Sequence, residues 1–125
     1  MDPLEKPAPD QVLIDQALNR MWAKFLPHLE ERIDVLASAN AALAAGKLTT
    51  GQRAAANTAA HNLAGVLGTF GLTKGTILAR EAEILYSGEP ETDPEAAAQL
   101  GRIADQLRVL IRNRKSEAAG YTLEK

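Results

Sequence analysis

The stretch TTGQRAAANTAAHNLAGVLGTFGL, residues 49–72, reads as one complete helix with its start and stop signals attached. Thr49-Thr50-Gly51-Gln52 has the T-x-x-Q form of a capping box, in which side chains satisfy backbone donors at the first turn, so the helix begins near Thr50. It ends between Gly68 and Gly71, where glycine takes a left-handed cap. At about 100° per residue, Ala56, Ala59, Leu63, Val66, Leu67 and Phe70 share one arc of roughly 100°, the expected core stripe. His61 lies about 170° from the centre of that arc, so its imidazole points to solvent. An outer helix face normally carries long charged side chains. Here it carries Ala54, Asn57, Thr58, Ala64, Gly65 and Gly68, a bare surface on which another macromolecule can dock. Gly65 costs the helix about 1 kcal/mol relative to alanine, one turn from the histidine, which makes sense where a partner must approach closely.

Working outward, the rest of the chain also reads as helix. Between Asp10 and about Gly46, residues Ile14, Leu18, Met21, Phe25, Leu29, Ile33, Leu36 and Leu43 form one apolar stripe at helical spacing. Pro27 interrupts it and is expected to kink or split the helix there. A third helix spans about Thr73 to Tyr86, with Leu78, Ala82 and Leu85 on one side. SGEPETDP is a turn, with Thr92 or Asp93 as cap and Pro94 in the first turn of the next helix. That fourth helix, about Pro94 to Lys115, shows Leu100, Ile103, Ala104, Leu107, Leu110 and Ile111 at bundle spacing. Short connections make neighbours antiparallel, so the expected architecture is an all-α, up-and-down four-helix bundle over residues 10–116. Residues 1–9, with three prolines, are expected to form a flexible leader or linker, and 117–125 a frayed tail.

Composition narrows the function classes. At 125 residues the chain fits one domain. It is 46% hydrophobic but only 4% aromatic, an alanine- and leucine-rich mixture that favours helices. A formal charge of -2 provides no basic face for nucleic acid. No cysteine is present, which removes disulfides and thiolate metal sites and fits a reducing cytoplasm. Neither a secretory h-region nor a membrane-length apolar run is visible, so a cytoplasmic protein without a membrane role is expected.

The chemistry open to a lone exposed imidazole is limited. Near neutral pH the side chain has a free ring-nitrogen lone pair, enough to attack a phosphoryl group and hold it as a phosphoramidate when a partner stabilises the charge. The other motifs do not offer an alternative. GVLGTFG is not G-x-G-x-x-G and follows no strand. In LTKGT, Lys74 precedes Gly75, the reverse of a phosphate loop. HExxH and inward-facing ExxH motifs are missing, so no bundle-core metal site is expected. Neither histidine has an evident orienting carboxylate, which argues against a hydrolytic triad. His28 sits lateral to the core stripe and reads as structural or solvated. Trp22 and Phe25 read as core or bundle-end residues, with an exposed edge of Trp22 on the partner surface as the minor alternative. Glu81, Glu83, Glu89, Glu91 and Asp93 read as a solvated face and turn.

At His61-Asn62-Leu63-Ala64-Gly65, followed by Gly68 and Gly71 and closing as GTFGL, the sequence resembles the histidine-containing phosphotransfer (HPt) domain family, whose acceptor segment reads H-x-L-K-G followed by small residues and glycines. Phe25-Leu26, Leu29, Ile33, Leu36 and ANAALAAGK resemble the family's preceding helix, and the likeness spans about residues 12–112. The resemblance implies a bundle that passes phosphoryl groups between receiver-domain aspartates, with His61 as acceptor, Leu63 anchoring the helix and Gly65 opening space for the receiver. It implies receiver-domain partners or a hybrid sensor kinase, Mg²⁺ brought by the receiver, no ATP site or autokinase activity, and a monomeric protein. Ala64 departs from the pattern, standing where the family often has a lysine that steadies the phosphoryl group; Asn57 and Thr58 are candidate substitutes as donors. The departure leaves open an alternative, a non-phosphorylated module that only binds receiver or kinase domains. A sensor-kinase dimerisation domain fits less well, because Asn62 rather than an acidic residue follows His61 and no proline comes before Pro90.

Overall fold

The structure, a computed structural model, describes the backbone of residues 9–88 and 94–123 and the side chains of 10–88 and 94–114. Four helices follow one another: α1 (Pro9–Ala44), α2 (Thr50–Thr69), α3 (Thr73–Ser87) and α4 (Pro94–Leu123). They pack in a ring, α1 against α2 and α4, α3 against α2 and α4, with α2 and α3 the most closely paired. This is the all-α bundle the sequence implies.

Local chemistry sets the reversals. Gly46 at φ +70° ends α1, with its N–H on the Leu43 carbonyl at 3.0 Å and the Lys47 N–H on Ala42 at 2.8 Å. Gly71 at φ +74° ends α2 in the same way, through Gly71 to Gly68 at 3.0 Å and Leu72 to Leu67 at 2.9 Å. Both are paired bonds of the Schellman type, which satisfy the last carbonyls while turning the chain back. The capping box is complete: the Gln52 N–H donates to Thr49 Oγ1 at 3.0 Å, and the Thr49 N–H to Gln52 Oε1 at 2.9 Å.

Leu29, Ile33, Leu36 and Leu43 of α1 meet Leu63 and Leu67 of α2, Leu78, Ala82 and Tyr86 of α3, and Leu100, Ile103, Leu107 and Ile111 of α4 in one core. Tyr86 crosses that core, and its hydroxyl reaches the Leu36 carbonyl at 3.4 Å. Burial pushes this hydroxyl up to about 12. Desolvation penalises the phenolate rather than the phenol.

Two expectations are corrected and two alternatives are closed. The first helix does not split at Pro27, which lies inside a continuous α1. Pro27 and Ala23 are both exposed, so water can take the carbonyl that the proline leaves unpaired. Trp22 and Leu29 on either side enter the same core and hold the helix together. Second, the N-terminal part of the α1 stripe is not core: Ile14 is 53% exposed, and Met21 and Phe25 are exposed too. Helix α1 has 36 residues and α2 has 20, about 54 Å against 30 Å. The end of α2 comes level with Trp22, which packs edge-on against Phe70 at 5.1 Å. Residues before Trp22 have no α2 beside them, whereas Phe25, one turn after it, meets Phe70 at 6.2 Å while staying exposed. Third, Trp22 is a core residue, as its main reading had it, and the alternative of an exposed edge falls away: it is 2% exposed, with the Arg114 guanidinium 5.3 Å from its ring centroid. Fourth, α4 runs to Leu123 rather than ending near Lys115, so residues 117–123 are helical in backbone. Residues 115–123 contain no proline, and their one glycine, Gly120, lies within the helix rather than ending it.

The turn over 89–93, with its cap at Thr92 or Asp93, lies outside the described residues, as does the leader apart from Pro9, the first residue of α1. Among the described residues no helix is long and apolar enough to cross a membrane.

Candidate functional site

The site is built on the α2–α3 seam. Small residues let these helices approach closely: a Cβ on Gly75 would fall 2.9 Å from Leu67 Cδ1, and one on Gly68 would fall 3.3 Å from Thr76 Oγ1. Two polar clamps hold the pair in register. Thr76 Oγ1 donates to the Ala64 carbonyl at 3.0 Å, and Asn57 Nδ2 donates to the Glu83 carbonyl at 2.8 Å. Leu63, fully buried, fixes the rotation of α2 about its axis.

His61 is thereby presented outward, its side chain 70% exposed. Its Nδ1 lies 2.9 Å from Glu83 Oε2, and the Glu83 side chain is 28% exposed. A carboxylate can only accept, so Nδ1 carries the proton and donates it. The second nitrogen, Nε2, then keeps its lone pair. The acidic residue that read as part of a solvated face is therefore the orienting carboxylate that the sequence seemed to lack. Asn57 contributes indirectly, by tying down the Glu83 backbone. The arrangement yields a histidine of fixed tautomer with an unencumbered nucleophilic nitrogen.

The six residues expected to form the docking surface divide. Ala54, Thr58, Gly65 and Gly68 are exposed. A Cβ on Gly65 would meet nothing within 4 Å, so no packing among the described residues requires glycine there. Gly68 is exposed but leaves room for Thr76, an internal reason for its small size. Asn57 is half-buried, with one amide N–H engaged by the Glu83 carbonyl on α3 and its second N–H remaining as a donor. Ala64 is not surface at all: at 4% exposure it belongs to the seam. A wheel centred on one core stripe cannot register a second neighbour, and α3 covers Ala60 and Ala64 in addition to that stripe.

The other histidine, His28, is exposed on α1. Among the described residues, no three or more histidine and acidic side chains converge as metal ligands would. A groove lined by Leu26, Glu30, Ile33, Asp34, Arg108, Ile111 and Arg112 lies between α1 and α4, the two helices that do not build the histidine site.

Comparison with known proteins points the same way as the geometry. Residues 20–110 match the family model described as Hpt domain. Protein RcaC of Microchaete diplosiphon is 32% identical over 90 residues, an alignment that covers 72% of this chain and 14% of that protein. The aligned segment is thus a small part of that relative. No solved structure matches.

Proposed function

Since the chain belongs to the Hpt domain family, whose members are histidine phosphotransfer modules of phosphorelays, we propose that His61 is its phosphoacceptor, taking a phosphoryl group from a receiver-domain aspartyl phosphate and passing it to another receiver. The observation that carries this reading is the pairing of a solvent-facing Nε2 with an Nδ1 bound to Glu83. In the forward step the Nε2 lone pair forms the N–P bond as the P–O bond to the aspartate breaks, and the aspartate leaves with that electron pair as carboxylate. The Nδ1 proton stays in place, and the positive charge that develops on the ring is balanced by Glu83. The return step reverses these changes on a second aspartate. The Mg²⁺ that offsets charge on the transferring oxygens belongs, in this reading, to the receiver.

The exposed Ala54, Thr58 and Gly65 give a receiver a flat approach to the ring. Incubation with a phosphorylated receiver domain tests the proposal. Wild type acquires acid-labile, alkali-stable phosphate, and His61→Gln acquires none while keeping its helical circular dichroism. Label that persists in His61→Gln rules out the assignment. Failure of wild type to label with several receivers favours a module that binds without carrying phosphate.

A further inference from the structure

Phosphorylation of His61 would create an electrostatic problem that the α2 surface cannot solve. A phosphoryl group adds close to two negative charges. The group on Nε2 would share the ring with Glu83, whose carboxylate already occupies Nδ1. On α2, the residues around the histidine (Ala54, Asn57, Thr58, Ala64, Gly65 and Gly68) carry no charge.

The α2–α3 register supplies a cation. Thr76 bonds to Ala64, and Asn57 bonds to Glu83. Arg80 is four residues beyond Thr76 and three before Glu83, so it lies on the same edge of α3 and level with residues 57–64. It is exposed, and it forms no ion pair or hydrogen bond with another described residue. Glu83, one turn away on the same helix, is turned to His61 instead. Further along α2, Gly65 is exposed and a Cβ there would meet nothing within 4 Å, so the outer face next to His61 is open.

Resting on the reading of His61 as phosphoacceptor, we propose that Arg80 closes over the seam and binds the phosphoryl oxygens of phosphorylated His61, setting the lifetime of the phosphohistidine. A guanidinium suits this task because its planar donors pair with two phosphoryl oxygens at once. In the loose transition state for breakdown the oxygens carry less charge than in the bound dianion. A cation on those oxygens therefore stabilises the phosphohistidine more than its hydrolysis. The role requires no covalent step by Arg80.

The test uses the full chain and potassium phosphoramidate as a small phosphodonor, so no particular receiver is needed. After the donor is removed, phosphohistidine decay is followed by ³¹P NMR at low and high salt. Arg80→Ala should decay about five-fold faster than wild type at low salt, the effect of one exposed charge-assisted contact. Arg80→Lys should recover part of the difference, and high salt should shrink it through screening. Unchanged thermal unfolding in Arg80→Ala and Arg80→Gln separates this effect from a structural one. Equal decay of wild type and Arg80→Ala at low salt overturns the role of Arg80 and leaves that of His61 standing. Label absent from wild-type His61 overturns both.

Discussion

Replacing Gly65 by alanine should make the protein more stable and a poorer phosphotransfer partner. The added Cβ meets no atom within 4 Å, so the substitution brings no clash with the described residues. What remains is helix propensity, worth about 1 kcal/mol in favour of alanine. For a bundle of this size that corresponds to a rise in Tm of about 3–5 °C. Gly75→Ala is the internal contrast: its Cβ would lie 2.9 Å from Leu67 Cδ1, and Leu67 is fully buried. That variant should lose roughly 1–3 kcal/mol through overpacking. Thermal melts by circular dichroism measure both. Transfer from a phosphorylated receiver, measured on the same samples, should slow in Gly65→Ala and slow further in Gly65→Leu, because each step places more bulk between His61 and the partner. A loss of stability in Gly65→Ala would refute the open-space argument. Undiminished transfer in both Gly65 variants would refute the docking surface.

Three other outcomes follow from the same geometry. Glu83→Ala should slow phosphoryl acceptance by His61 about five- to ten-fold, the worth of a charge-assisted hydrogen bond, and ¹⁵N NMR should show the imidazole leaving its single Nδ1–H tautomer; Glu83→Gln, which keeps an acceptor oxygen, should lose less, and unchanged rate and tautomer in Glu83→Ala would remove the orienting role. The Tyr86 hydroxyl, held at about 12 against an ordinary 10.0, binds its proton more tightly folded than unfolded, so its contribution is complete below pH 10 and is lost as pH rises towards 12; wild type should lose on the order of 2–3 kcal/mol more than Tyr86→Phe across that window in urea unfolding. Leu63→Ala, at a fully buried position, should cost about 2–5 kcal/mol in denaturant titrations.

The parts of the fold legible in sequence were those that local chemistry decides. Thr49 and Gln52 cap each other within one turn, and Gly46 and Gly71 adopt the positive φ that glycine tolerates best. The outward direction of His61 follows from helical rotation alone. What the pattern could not show depends on neighbours. The α1 stripe continues through Ile14 and Met21, but periodicity contains no measure of where α2 stops, and these residues lie past its end. Ala64 seemed to share the bare outer face because a single wheel has one core, whereas α2 is covered by both α1 and α3. Glu83 is 22 residues from His61 in sequence, and its carboxylate reaches the ring only because the chain folds back at Gly71. That fold-back was itself readable: reflecting position 61 about 71 gives 81, which puts Arg80 and Glu83 within a turn of the histidine. Choosing between Glu81 and Glu83 then requires the rotation of α3, set by Thr76 and the buried Gly75.

The most direct test is which atom of the phosphorylated protein bears the phosphorus. Heteronuclear NMR of the phosphorylated full chain should show it on Nε2 of His61, with the Nδ1 proton retained and still donated to Glu83. Phosphorus on Nδ1, or on any residue other than His61, would contradict the account.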